Sequence, residues 1–180
     1  MKIKFLVLIC LIISLCACGK TQNDVSATHD TNLASTSKDD DKFPSFSIPL
    51  EDGTTLDTTK LSKPTFLNIW ATWCGPCIGE LPDIDELCTE YKDKVDFILL
   101  DGAEPKKMVD DFIKEKFPNH TYKIGYDEKG DILNALGIMY FPTTFIIKND
   151  GTVVEQLIGA RSKAEYKLSI DNLLASEDGK

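Results

Sequence analysis

Residues 68–77, Asn-Ile-Trp-Ala-Thr-Trp-Cys-Gly-Pro-Cys, are the stretch that decides the fold. They continue a run of apolar residues over 65–70 that is typical of a buried strand. From residue 75 to about residue 91, apolar side chains recur at helical spacing and form one stripe along a helix. The stretch therefore predicts a strand that leads into a helix, with Cys74 and Cys77 at the junction.

A Cys-x-x-Cys pair can serve several functions, and the residues around this pair argue against some of them. A zinc site would need a second cysteine pair or a nearby histidine, and the sequence has neither close to the pair. Attachment of a c-type haem needs a histidine where the sequence has Ile78. At a helix N-terminus the free N–H groups and the helix dipole favour a thiolate, so Cys74 is the expected nucleophile and Cys77 the resolving thiol of disulfide exchange. The alternative is a structural disulfide, although so short a loop gives little stabilisation.

The rest of the chain alternates between strand-like and helix-like segments. The predicted strands are 46–50, 54–56, 65–70, 95–100, 122–126, 143–147 and 152–158, and the predicted helices are 75–91, 106–117, 132–136 and 162–175. Ser162 and Glu165 match the capping box that begins a helix, and Asp150-Gly151 between two apolar runs predicts a hairpin. This order predicts an α/β domain with a mixed sheet and helices on both faces.

Length and composition indicate one globular domain with some additional sequence. The chain has 180 residues, of which 42% are hydrophobic, and its 20 Lys and Arg against 29 Asp and Glu give a net charge of −9. Phosphate binding needs a local excess of cations, so we expect no nucleic acid partner. Six cysteines could form a disulfide scaffold, but half of them lie in the first 18 residues and two form the Cys-x-x-Cys pair.

The first segment is typical of an export signal. A cationic start and an apolar run of signal length occupy residues 1–15. Leu15-Cys16-Ala17-Cys18 then resembles the lipobox of bacterial lipoproteins. The resemblance implies cleavage after residue 17 and a lipid on Cys18, which would anchor the protein to the outer face of the cytoplasmic membrane. An ordinary cleaved signal or an uncleaved short anchor is the alternative.

The sequence divides into four predicted regions. Residues 1–17 are the signal peptide, and residues 18–42 are the lipidated cysteine with a tether. The tether is expected to be disordered, because it is rich in Ser, Thr, Asn and Asp and has almost no large apolar residue. The folded domain is expected over residues 43–176, followed by a short tail over 177–180.

Several motifs together resemble the thioredoxin superfamily, and within it the TlpA/ResA-like branch of membrane-tethered thioredoxins. The motifs are residues 68–77, Glu80-x-Pro82, and Phe141-Pro142-Thr143-Thr144-Phe145 ahead of an Asp-Gly hairpin. The resemblance covers about residues 43–175. It implies a thioredoxin-like fold with a central sheet of four or five strands and a cis peptide bond between Phe141 and Pro142. The turn signal Glu51-Asp52-Gly53 between the first two predicted strands adds an N-terminal β-hairpin extension.

The resemblance also implies roles for residues around the cysteine pair. Thioredoxins proper carry a buried Asp where this chain has Asn68, which cannot titrate. Glu80 shares a helix face with Cys77 and is therefore expected to transfer the proton, as the related proteins imply. The alternative for Glu80 is a solvated helix acid. The expected client-binding residues are Trp73, Gly75, Pro76, Phe141, Pro142 and Thr143.

Other titratable residues are expected to take no part in catalysis. Cys88 lies on the apolar stripe of the same helix, so a buried, inert thiol is favoured over a regulatory third cysteine. His29 is expected to be solvated in the tether, and His120 to be a surface or core residue. The charged runs over 104–116 are expected to form a solvated helix face.

The expected activity is that of an exported thiol–disulfide oxidoreductase. A reductase is favoured, because the Gly75-Pro76 pair between the cysteines matches the reducing thioredoxins. The resemblance implies a membrane electron donor of the CcdA/DsbD type and a client that carries a disulfide, either apocytochrome c or a methionine sulfoxide reductase. We expect a monomer with no metal and no cofactor beyond the Cys74–Cys77 pair. The alternatives are a disulfide-forming oxidase, a thiol peroxidase and a non-catalytic binding lipoprotein.

Overall fold

The strands and helices follow the predicted order. The structure, a computed structural model, describes residues 41–178. Its strands are β1 (Ser47–Pro49), β2 (Thr55–Asp57), β3 (Thr65–Trp70), β4 (Asp96–Asp101), β5 (Lys123–Gly125), β6 (Thr143–Ile147) and β7 (Val153–Ile158). Its helices are α1 (Gly75–Tyr91), α2 (Lys106–Lys116), α3 (Asp131–Leu136) and α4 (Lys163–Asp178). Each predicted strand and helix is present, with ends that shift by a few residues at most.

The central sheet is mixed and has five strands in the order β5-β4-β3-β6-β7. β3, β4 and β5 run parallel, whereas β6 is antiparallel to both β3 and β7. β1 and β2 form a separate antiparallel hairpin, and the residue that follows β1, Leu50, bridges to Gly125 of the β5 edge. The mixed sheet and the N-terminal hairpin of a thioredoxin-like fold are therefore confirmed.

The two faces of this sheet bury two separate hydrophobic clusters. Successive residues of β3 point to opposite faces, so Phe66 and Trp70 join one cluster while Leu67 and Ile69 join the other. Helices α1, α2 and α4 supply the first cluster, and the β1–β2 hairpin and α3 supply the second. Asn68 shares a face with Phe66 and Trp70, which directs its amide towards α1 and α4.

The capping box predicted for the last helix is confirmed. The backbone N–H and the hydroxyl of Ser162 both donate to the carboxylate of Glu165, over 2.9 and 2.7 Å. The N–H of Glu165 donates back to the Ser162 hydroxyl over 3.4 Å. These bonds satisfy groups that the first turn of α4 leaves free, and they fix the start of the helix whose side chains reach the cysteine site.

Secondary structure extends slightly past both predicted limits of the folded domain. Lys42 pairs with Thr152 in an isolated antiparallel bridge, so pairing begins within the segment predicted to be tether. At the other end α4 continues to Asp178, beyond the predicted domain end at residue 176. Both extensions gain backbone hydrogen bonds that composition alone does not reveal.

The predictions for the N-terminal segment lie outside the described residues. They are the signal peptide over 1–17, the lipid on Cys18, most of the tether, and the solvation of His29. Within residues 41–178, no helix combines the length and the apolar character that a membrane crossing requires.

Candidate active site

Cys74 and Cys77 form a disulfide at the start of α1, with 5.3 Å between their Cα atoms. Cys74 is the N-cap residue of the helix, and its sulfur accepts a hydrogen bond from the N–H of Cys77 over 3.2 Å. Gly75 and Pro76 occupy the first turn and are exposed, and the fixed φ of Pro76 suits that position. Cys77 is fully buried whereas Cys74 keeps 5% of its surface accessible, so Cys74 is the cysteine that a partner reaches first.

The helix N-terminus gives this pair a favourable setting for thiolate chemistry. The free N–H groups of the first turn and the helix dipole stabilise a negative charge on Cys74 once the disulfide is reduced. No acidic residue lies in the first turn of α1, so no carboxylate there opposes this effect. The arrangement can therefore support nucleophilic attack by Cys74 and closure of the disulfide by Cys77.

Glu80 lies one turn after Cys77 and is buried, with 4% of its surface accessible. Asn68 donates to its Oε1 over 2.8 Å, while the Tyr166 hydroxyl and the Arg161 N–H donate to its Oε2 over 2.9 and 3.2 Å. Burial raises the pKa of Glu80, and the hydrogen bonds from Tyr166, Asn68 and Arg161 oppose that rise. The alternative of a solvated helix acid is wrong, and the raised pKa suits a group that takes up and releases a proton.

Tyr166 is a site residue that sequence reasoning missed. It is fully buried on α4, and its hydroxyl lies 3.2 Å from that of Thr144 as well as bonding to Glu80. Asn68 donates to Thr144 over 3.0 Å, which closes a cycle of hydrogen bonds through Glu80 and Tyr166. Tyr166 lies in the first turn of a predicted helix, and nothing in that local pattern indicates that its hydroxyl partners come from β6 and α1.

The loop before β6 packs against the segment that leads to Cys74. The peptide bond between Phe141 and Pro142 is cis, as the resemblance implied. The Phe141 ring is half-buried and packs edge-on against Trp73, with 5.4 Å between ring centroids. Pro142 and Thr143 are buried, and Thr143 donates to the Tyr140 carbonyl over 2.8 Å. Thr143 therefore braces the loop through this bond.

Large apolar side chains are exposed at Trp73 and in the loop whose Phe141 contacts Trp73. Trp73 is 66% exposed, and the loop ahead of Pro142 exposes Met139 and Tyr140 at 81% and 64%. Trp73 was predicted as a client contact, but Met139 and Tyr140 were not. The run Met-Tyr-Phe before the proline was the available signal, since loop residues beside a reactive group are placed to contact partners.

Glu104 contradicts the prediction that the charged runs over 104–116 are solvated. It precedes α2, is buried, and accepts hydrogen bonds from the N–H and the hydroxyl of Thr72 over 2.7 and 2.5 Å. These two hydrogen bonds compensate the cost of burying the carboxylate. They also anchor the loop that leads to Cys74. The helix itself agrees with the prediction, because exposed Lys107 and Asp111 pair at i,i+4 on its surface.

Asp101 is the last residue of β4, accepts hydrogen bonds from the N–H of Glu104, and is fully buried. Burial raises its pKa to about 7, and the nearby charges of Glu104 and Asp127 add to the rise. The N–H groups of Glu104 and Asp127 donate to the Asp101 carboxylate, and these bonds limit the rise in its pKa. The carboxyl ends of β4 and β5 therefore hold buried acids close to the cysteine loop.

The other candidates lie apart from the disulfide. Cys88 is a buried free thiol on α1, and burial raises its pKa, which agrees with an inert core residue. His120 is half-buried in the α2–β5 loop. Its Nε2 lies 3.1 Å from the carboxylate of Glu51 in the β1–β2 turn. The hydrogen bond with Glu51 raises the pKa of His120. Across residues 41–178, no cluster of three or more His, Cys, Asp and Glu side chains is placed to hold a metal ion.

Comparison with known proteins agrees with this geometry. The chain is 38% identical over 109 residues to the thiol-disulfide oxidoreductase ResA of Bacillus thuringiensis subsp. konkukian (strain 97-27), which covers 58% of this chain and 60% of that relative. It is 37% identical over 129 residues to ResA of Bacillus thuringiensis (strain Al Hakam), which covers 69% of this chain and 72% of the relative. The match to the first of these relatives thus spans less than two thirds of its length.

A solved structure and a protein family also match this chain. The thiol:disulfide interchange protein, thioredoxin family protein, of Chlorobium tepidum TLS is similar with a TM-score of 0.63 and 27% identity, over 74% of this chain and 95% of that one. The Redoxin family matches residues 38–173. With a mixed sheet, a disulfide at the start of α1 and a cis proline before β6, the chain belongs to the Redoxin family of the thioredoxin superfamily.

Proposed function

We propose that the protein is an extracytoplasmic thiol–disulfide oxidoreductase that reduces protein disulfides through Cys74 and Cys77. The observation that carries the proposal is the disulfide at the N-terminus of α1, in which Cys74 caps the helix. A buried carboxyl one turn later, at Glu80, supports it, because disulfide exchange needs a group that moves protons beside the resolving cysteine. Relatives named thiol-disulfide oxidoreductase support the same reaction class.

The proposed reaction begins with the reduced pair. The Cys74 thiolate attacks one sulfur of a client disulfide, so the client S–S bond breaks and a Cys74–client disulfide forms. The other client sulfur leaves as a thiolate and takes up a proton. Cys77 then attacks the Cys74 sulfur, which closes the Cys74–Cys77 disulfide and releases the second client thiol. Two electrons have passed to the client, and a donor dithiol must reduce the pair again.

Glu80 acts in the second half of this reaction. Cys77 is buried, and burial disfavours the thiolate that it must become. A carboxylate on the same helix face can accept the Cys77 proton as attack begins, and it can return the proton when the donor reduces the disulfide. Asn68 and Tyr166 hold the two oxygens of Glu80 in place for this transfer.

A reducing direction is favoured over oxidation. The Gly75-Pro76 pair is that of reducing thioredoxins, whose potential is about −270 mV, against about −120 mV for a strong oxidant. A disulfide-forming oxidase would have the higher potential. A thiol peroxidase would consume peroxide directly, and a binding lipoprotein would keep its function after Cys74→Ser.

The proposed setting is the outer face of the cytoplasmic membrane, with a lipid on Cys18. The lipobox-like end of the leader supports it. Outside the cytosol thiols oxidise readily, so a reductase there needs electrons that cross the membrane. We propose a membrane carrier of the CcdA/DsbD type as donor, and apocytochrome c or a methionine sulfoxide reductase as client.

Reduction of insulin disulfides by the dithiothreitol-charged protein tests the proposed activity. We expect turnover by the wild type and by Cys88→Ser, which changes a cysteine outside the site. Cys74→Ser should abolish turnover, and Cys77→Ser should accumulate a mixed disulfide with insulin at Cys74, seen by mass spectrometry. Equal turnover by the wild type and Cys74→Ser would refute the proposal.

A further inference from the structure

We propose that Glu104 is a positioning residue for disulfide exchange, and that it acts by holding Thr72 in the loop that leads to Cys74. The inference rests on the proposed function and adds to it a residue outside the cysteine and proline motifs.

Both oxygens of Glu104 are committed to a single residue. Oε2 accepts the backbone N–H of Thr72 over 2.7 Å, and Oε1 accepts its hydroxyl over 2.5 Å. A carboxylate is costly to bury, and hydrogen bonds to a charged acceptor are stronger than neutral ones. Thr72 lies in the short connection between β3 and α1, so this pair of bonds fixes the chain immediately before Trp73 and Cys74.

The turn that carries Glu104 has an unusual backbone held by its own contacts. Ala103 has a φ of 65°, in the left-handed region that residues with a Cβ seldom adopt. The N–H of Glu104 donates to both oxygens of the buried Asp101 carboxylate, over 3.3 and 3.1 Å. Such strain persists only where the surroundings impose it, and at functional sites it commonly serves to place a side chain.

The same turn also contacts the loop that carries Phe141 and Pro142. A Cβ at Gly102 would lie 2.8 Å from the Phe141 ring and 2.8 Å from the Trp70 carbonyl oxygen, so the ring lies directly against the turn. Residues 101–104 therefore touch both the loop before Cys74, through Glu104, and the loop before Pro142, through Gly102. Disulfide exchange needs three sulfur atoms in line, and small displacements of the groups that carry them slow such reactions.

The test compares two substitutions at Glu104 with a matched glutamate elsewhere. Glu104→Ala removes both bonds to Thr72, whereas Glu104→Gln can keep them, because its amide oxygen can accept the N–H and its NH₂ can donate to the hydroxyl. Glu115→Ala is the control, since Glu115 is exposed on α2 and pairs only with its neighbour Lys116 among the described residues. Oxidised glutathione serves as the probe, because so small a disulfide reports on the cysteine site rather than on client docking.

The second-order rate constant for oxidation of the reduced full chain is measured by stopped flow. We expect Glu104→Ala to slow the reaction about tenfold, Glu104→Gln to restore it to within about twofold, and Glu115→Ala to match the wild type. Thr72→Val removes only the hydroxyl bond and should slow the reaction about threefold, and it carries the test if Glu104→Ala does not fold. A wild-type rate in Glu104→Ala or Thr72→Val, or a Glu104→Gln rate as low as that of Glu104→Ala, would overturn the inference. A wild type that does not react with glutathione disulfide would instead refute the proposed function.

Discussion

Glu80 on α1 accepts a hydrogen bond from Asn68 on β3, with 2.8 Å between Oε1 and Nδ2. In thioredoxins proper the residue in the place of Asn68 is the titratable acid. Here the strand residue is an amide donor, and the buried acid Glu80 lies on the helix that carries the cysteine pair. The bond keeps one oxygen of Glu80 oriented towards the sheet, while Tyr166 and the Arg161 backbone orient the other.

Replacement of Glu80 by Gln should slow closure of the disulfide. The amide keeps acceptor capacity but cannot take the proton of Cys77, so we expect the resolution of a Cys74–glutathione mixed disulfide to fall at least tenfold at pH 7. Rapid-quench mass spectrometry measures that step directly. Glu86→Gln is the control, because Glu86 is exposed on the same helix and pairs with Lys163. Equal rates in Glu80→Gln and Glu86→Gln would contradict a proton-transfer role.

The exposed side chain of Tyr140 should matter for protein clients but not for small disulfides. Tyr140 is exposed in the loop whose Phe141 contacts Trp73. An exposed aromatic ring can be buried by a client segment, and such anchors contribute much of the binding energy at interfaces. We expect Tyr140→Ala to raise the KM for insulin about fivefold and to leave the rate with oxidised glutathione unchanged. Leu168→Ala, at a similarly exposed position on α4, should change neither. An unchanged KM in Tyr140→Ala would exclude this surface from docking.

Asp101 should make stability depend on pH. Burial raises its pKa from 3.8 to about 7, so between about pH 4 and pH 7 the folded protein keeps a proton that the unfolded chain has lost. Folding is then coupled to proton uptake, and this residue's contribution to stability falls as the pH rises through that window.

Urea denaturation of Asp101→Asn tests this directly. Relative to the wild type, the free energy of unfolding of the variant should rise by about 2–4 kcal/mol from pH 4 to pH 8, because Asn carries no charge to bury. Asp111→Asn, at an exposed site on α2, is the control variant. A difference between wild type and Asp101→Asn that is the same at both pH values would show that Asp101 titrates normally.

The sequence predicts the fold well because its local signals agree with the tertiary structure. The apolar run at 65–70 and the helical stripe over 75–91 coincide with β3 and α1, and the capping box at Ser162 marks the start of α4. Cys74 was placed correctly at a helix N-terminus because strand, cysteine pair and helix are consecutive in the chain. Such signals need no knowledge of distant contacts.

The parts of the site that were missed depend on residues far apart in sequence. Glu104 precedes an amphipathic helix rich in exposed charges, so its composition favours a solvated side chain, and only the approach of Thr72 accounts for its burial. Tyr166 lies 86 positions from Glu80, and nothing in its local pattern names a carboxyl partner. Periodicity predicts which face is buried, but the polar pairs within that face follow from packing.

The reduction potential of the Cys74–Cys77 pair tests the central claim most directly. The protein is equilibrated with defined ratios of reduced and oxidised dithiothreitol and glutathione, and the thiol and disulfide forms of the pair are quantified by alkylation and mass spectrometry. The account predicts a potential of about −270 mV, in the range of reducing thioredoxins. A potential above about −180 mV, in the range of an oxidising disulfide isomerase, would contradict it.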